Sequence, residues 1–177
     1  MHRSILLVVS CLALAAGLLF LPMHTARAES LTDEQREHIK ANCVGIKSSL
    51  TQLHASDALL RVNRGQLYET MNSKLMDKFN GRLSSNGLDN KAMTTVSGNY
   101  NTTLATFRSD YIAYESKLSE AIDIDCTQQP EKLHNTIQEA RELRLTVHSD
   151  VQKLNTLIDD YRSSVNSFLL NYERLSE

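Results

Sequence analysis

Apolar residues return along the last third of the chain with a period close to 3.5. From Leu133 the series runs through Ile137, Ala140, Arg144, Val147, Val151, Leu154, Ile158, Tyr161, Val165, Phe168, Tyr172 and Leu175. Arg144 is the only charged member, so the series reads as a heptad seam on one long helix, predicted over about 130–176. A second seam, Met93, Ser97, Tyr100, Leu104, Phe107, Tyr111, Tyr114, Leu118 and Ala121, predicts a helix over about 90–123. Its three tyrosines need partners for their hydroxyls if they are buried. The first seam is Ile39, Cys43, Ile46, Leu50, Leu53, Leu60, Leu67 and Met71, with Asp57 and Arg64 in the two skipped core places. Beyond Met71 it advances by fours through Leu75, Phe79 and Leu83, which turns the stripe around the helix and changes the local coiling. One helix over about 33–84 follows, bent near Gly65.

The ends of these segments carry their own signals. Thr32 and Gln35 have the spacing of a capping box, Ser84-Ser85-Asn86-Gly87 is a turn, and Asp89 or Asn90 caps the second helix. Pro130 fits a first helical turn, where its missing N–H costs nothing. Short connections between long helices imply antiparallel neighbours. The expected fold is all-α: an elongated up-down-up antiparallel three-helix bundle with coiled-coil-like packing, residues 29–177 forming a single domain.

Folding about the first turn pairs residues whose numbers add to about 174, and folding about the second pairs those adding to about 254. Arg64, Asp110 and Arg144 then share a level, with Asp57 two turns below and Arg61 beside it. A buried charge must be paired or it costs several kcal/mol. Asp57, Arg64, Asp110 and Arg144 are therefore expected to form a buried polar layer, either fixing helix register or holding an anionic ligand. Cys126 falls about one turn from Cys43, so a Cys43–Cys126 disulfide is expected; free thiols or a metal site are the alternatives.

The first 28 residues read as a cleaved signal peptide. His2 and Arg3 precede an apolar run from Ser4 to Leu21, and Ala26-Arg27-Ala28 has the small-x-small pattern of a cleavage site. An uncleaved anchor is the alternative; nothing after residue 28 is long and apolar enough to span a bilayer. Removing Arg3 and Arg27 from the 19 basic residues leaves 17 against 21 acidic ones. No basic block remains, which speaks against nucleic acid as a partner. The expected location is extracytoplasmic: periplasmic, cell-surface or secreted.

Candidate chemistry is sparse. Glu131 and His134 have the carboxylate–histidine spacing of di-iron bundles, and His54 and Glu120 fall at their level, but such a site needs a second motif and more carboxylates. No metal and no cofactor is expected; His54, Glu131 and His134 are the candidates should one bind. His38 and His148 have no evident partners. No serine or cysteine has the setting of a nucleophile, so the chain reads as a non-enzyme.

The block Asp57-x-x-x-Arg61-Val62-Asn63-Arg64-Gly65-Gln66-Leu67-Tyr68-Glu69, with Ile124-Asp125-Cys126-x-x-Gln129-Pro130, Ala140-Arg141 and Val147-His148, resembles small exported helical proteins of reduced-genome bacteria. The resemblance implies a bacterial source and transfers no catalytic or binding residue. The expected role is binding or structural support in the cell envelope or secreted fraction. Its partner would be an envelope protein or a second copy, reached through apolar surface near Thr32 to Cys43; a small-ligand or metal-binding bundle is the alternative.

Overall fold

The computed structural model describes residues 30–176, with side chains to residue 174. The signal segment of residues 1–28 lies outside the described residues, as does the Leu175 side chain at the end of the third seam. The chain is all-helical, and no strand occurs among the described residues. Helix α1 spans Asp33–Ala41, α2 Cys43–Thr70, a π-helical segment Met71–Met76, α3 Asp77–Ser85, α4 Lys91–Asp123 and α5 Pro130–Ser176.

The chain from Asp33 to Ser85 is thus divided where one continuous helix was expected. It opens as predicted: the Thr32 hydroxyl accepts from the Gln35 N–H, and the Gln35 side chain accepts from the Thr32 N–H. The first interruption is Asn42, whose side-chain amide donates to the His38 carbonyl at 2.8 Å and so competes with the helical ladder. Gly65 causes no break. The second interruption is the π segment, where the Asp77 N–H reaches back to the Asn72 carbonyl and widens the turn.

These irregularities decide which residues face inward. The heptad reading places Leu60, Arg64, Leu67 and Leu75 in the core, yet all four are exposed. Of the seam positions Asp57 and Leu83 are buried, and Tyr68, Met76 and Asn80, which lie off the seam, are buried as well. Asp57 and Tyr68 lie eleven residues apart, three turns of a nearly straight helix, whereas a seven-residue repeat would need α2 to supercoil. The extra residue of the π turn then rotates Met76 inward in place of Leu75.

α4 obeys its pattern throughout. All nine seam positions from Met93 to Ala121 are buried. Two of the tyrosine hydroxyls serve the irregular stretch opposite: Tyr100 donates to the Tyr68 carbonyl at 3.1 Å, and Tyr161 of α5 donates to the Met76 carbonyl at 3.2 Å and to Asn80 Oδ1 at 2.9 Å. Burial pushes both of these hydroxyls up to about 12, so they remain donors at any physiological pH.

Gly87 sits at φ 68°, a left-handed position suited to glycine. The Leu88 N–H bonds to the Leu83 carbonyl and the Gly87 N–H to the Ser84 carbonyl, both at 3.0 Å, closing a Schellman motif after α3. At the second turn Asp125 Oδ1 accepts from the Thr127 hydroxyl and N–H and from the Gln128 N–H, and these bonds hold its carboxyl below the usual carboxylate range. Beside it Cys126 is fully buried and bonded to Cys43, with 5.6 Å between their Cα atoms. Such a bond is compatible with an extracytoplasmic location.

Contacts along α4 run opposite to those of the first helical stretch: Ser97 with Asp77, Asn101 with Asn72, Arg108 with Glu69, His54 with Glu115, Cys126 with Cys43. α5 returns alongside, through Glu131 with Arg36, Arg144 with Asp57 and Tyr161 with Asn80. Leu31 is buried, and Ile39 and Cys43 pack partly buried against the cluster around Cys126 and Leu133, so part of the apolar surface expected at the start of the first stretch is covered. Among the described residues no helix is long and apolar enough to cross a membrane.

Candidate binding cleft between α2 and α5

The polar layer forms, but around a different residue. Asp57 is buried, and its Oδ2 accepts from the Tyr114 hydroxyl at 2.7 Å. Arg144 reaches the same carboxylate with two bonds, Nε to Oδ2 at 3.1 Å and Nη2 to Oδ1 at 3.3 Å. This is the bidentate fork that a planar guanidinium offers a carboxylate. The bond to Asp57 raises the Arg144 pKa, and burial followed by the Asp57 bond drives the Tyr114 hydroxyl well above its ordinary value.

The expected meeting of Arg64 and Arg144 on Asp110 does not occur. Arg64 is exposed at the cleft's rim, and Asp110 faces Asp150 of α5. Burial and the Asp110 side chain raise the Asp150 carboxyl, and its Oδ2 is buried without a hydrogen-bond partner. The level rule failed through accumulation. Each fold slips by about one helical turn, and two slips carry Arg144 a full heptad along the first stretch, from Arg64 to Asp57. Of the four residues expected in a buried layer, only Asp57 is buried.

Beside this trio α2 and α5 part, leaving an open cleft of about 790 Å³ with α4 as its floor. The floor is aromatic. Tyr68 meets Phe107 edge to face at 5.8 Å, Phe107 lies 6.4 Å from Tyr111, and Tyr111 meets Tyr114 edge to face at 6.1 Å. The rim is cationic: Arg61 and Arg64 on α2, Arg141 and Arg144 on α5, with His148 beyond them. Arg61 places its guanidinium 5.1 Å from the centre of the Tyr111 ring, a cation–π contact that fixes it over the floor. Asp57 is the only carboxylate in the lining, and Arg144 already occupies it. A second hollow of about 430 Å³ lies between the π segment with α3 and α5, lined by Met71, Leu75, Met76, Phe79, Ile158, Tyr161, Arg162 and Val165.

The remaining candidates are dispersed. His54 Nε2 lies 3.1 Å from Glu115 and 3.4 Å from Ser119, not beside Glu120. Glu131 is held by Arg36 at 2.8 Å instead of joining His134 at a metal. No group of three or more His, Cys, Asp or Glu side chains is placed to hold a metal among the described residues. The cleft thus offers an anion-attracting rim over an apolar, aromatic surface.

Sequence reasoning found Asp57, Arg61, Arg64 and Arg144 but missed Arg141, Leu145 and His148 as members of the same site. A signal was present: arginines three apart, 61 with 64 and 141 with 144, each pair beside a hydrophobic seam. Compared with known proteins, the chain matches no family model, no curated protein and no solved structure.

Proposed function

We propose that this is an exported, non-enzymatic binding protein of the cell envelope or secreted fraction, an up-down-up three-helix bundle whose binding site is the α2–α5 cleft. The observation that carries this reading is the lining: four arginines around an aromatic floor with one carboxylate, already paired. Such a surface favours a partner that is both anionic and apolar, because the guanidiniums select charge and the rings supply area. The export reading is supported by the buried Cys126 disulfide and by the basic, apolar and small-residue succession of the first 28 residues. A catalytic role gains no support from a lining whose one carboxylate is already held by Arg144 and Tyr114.

The test is fluorescence titration of the oxidised protein with anilinonaphthalene sulfonate, an anion with an aromatic body. Saturable binding that weakens with salt and on Arg64→Glu is expected. No saturable binding, or binding indifferent to both changes, would contradict the reading.

A further inference from the structure

Leu60, Leu67, Met71 and Leu75 follow one another at intervals of seven and four along one face of α2 and the π segment. By this repeat a helix offers an apolar ridge to another helix. Met71 packs partly against the core, but the three leucines are open: Leu60, Leu67 and Leu75 are 53%, 48% and 51% exposed. α4 instead receives Asp57 and Tyr68 from the same stretch. On the opposite lip of the cleft Leu145 of α5 is 69% exposed. A slender molecule lying on the aromatic floor would leave these leucines in water. The ridge from Leu60 to Leu75 is roughly 22 Å long at helical rise, the length of a four-turn segment.

Charge narrows the choice further. Arg61, Arg64 and Arg141 have no carboxylate partner among the described residues, whereas acidic residues outnumber lysine and arginine, 21 to 19, over the whole sequence. Guanidiniums left open in this way favour a carboxylate-bearing partner.

We propose that the cleft is a docking groove for an amphipathic helix of another protein, about four turns long. Its apolar stripe would meet the leucine ridge, and its glutamates or aspartates would lie beside Arg61, Arg64 and Arg141. This rests on the reading that the cleft is the binding site, and the experiment separates the two.

Two fluorescent synthetic helices with the same heptad leucine stripe, one flanked by glutamates and the other by lysines, are titrated with the oxidised protein. The glutamate helix should bind saturably, at least about tenfold tighter than the lysine helix, and more weakly as salt rises. Arg64→Glu with Arg141→Glu, both at exposed positions, should reverse that preference while leaving the thermal unfolding curve in place. Equal binding of both helices, binding of neither, or a preference unmoved by the charge reversal overturns the proposal. If palmitate displaces anilinonaphthalene sulfonate and the glutamate helix does not, the groove is a lipid-anion site; the helix proposal falls and the binding reading survives. If sedimentation shows a dimer that the peptide dissociates, the occupant is a second copy, which also overturns docking of another protein. Failure of the dye itself to bind removes the binding reading beneath it.

Discussion

Asp57 holds two partners, and the structure ranks them. Tyr114 is buried and donates to the carboxylate at 2.7 Å, whereas the Arg144 side chain is 53% exposed. A buried hydrogen bond to a charged group contributes about 1.5–3 kcal/mol. An exposed ion pair contributes about 1 kcal/mol or less, because water and salt screen it. Asp57→Ala strands the tyrosine hydroxyl and releases the arginine, so it should cost about 2–4 kcal/mol. Double-mutant cycles apportion the loss. The coupling of Asp57→Ala with Tyr114→Phe should be about 2 kcal/mol. With Arg144→Met, which keeps much of the aliphatic stem, it should stay under about 1 kcal/mol and shrink further in molar salt. Urea unfolding of the oxidised proteins, followed by far-UV circular dichroism, measures each corner. If the arginine coupling equals or exceeds the tyrosine coupling, the ion pair rather than the buried hydroxyl holds this layer and the ranking is wrong.

Two further perturbations test other parts of the fold. The Cys43–Cys126 bond closes a loop with a sequence separation of 83, so Cys43→Ser with Cys126→Ser should lower stability by about 4 kcal/mol from loop-closure entropy, or roughly 8–16 °C in Tm; an unchanged melting curve would mean that the bond constrains nothing. Asp150 is raised by burial and by Asp110, so its contribution to stability is present below the unfolded carboxylate range and lost as pH rises through the folded value. Asp150→Asn should therefore be more stable than the parent at pH 7, with the advantage vanishing in acid; calorimetry at both pH values checks this, and a variant less stable at pH 7 would contradict it.

The sequence was most legible where one period served one buried face. Each seam residue of α4 is buried because that helix is regular, covered from two sides and anchored by a Schellman turn before it. The Thr32 capping box and the Cys43–Cys126 bond were readable because their geometry is local or limited by short connections. α2 was not readable in the same way. Its leucines keep a heptad with Asp57, but the nearly straight helix turns Asp57 and Tyr68 inward and leaves Leu60 and Leu67 exposed. Apolar spacing identifies a helix face and does not say whether this chain or another molecule covers it. The cleft escaped for a related reason: its floor residues read as core, Arg64 and Arg144 of its rim read as members of a buried polar layer, and the space between α2 and α5 belongs to the tertiary arrangement alone.

The parted α2 and α5 walls, with α4 behind them, are the surface proposed here to bind a partner. Amide chemical-shift mapping of the oxidised protein during titration with the glutamate-flanked helix tests this most directly. The shifted amides should concentrate between residues 57–75 on one wall and 141–158 on the other, with those of α1 unmoved. Shifts spread evenly over the molecule, or confined to α1 and the turn at Cys126, would contradict it.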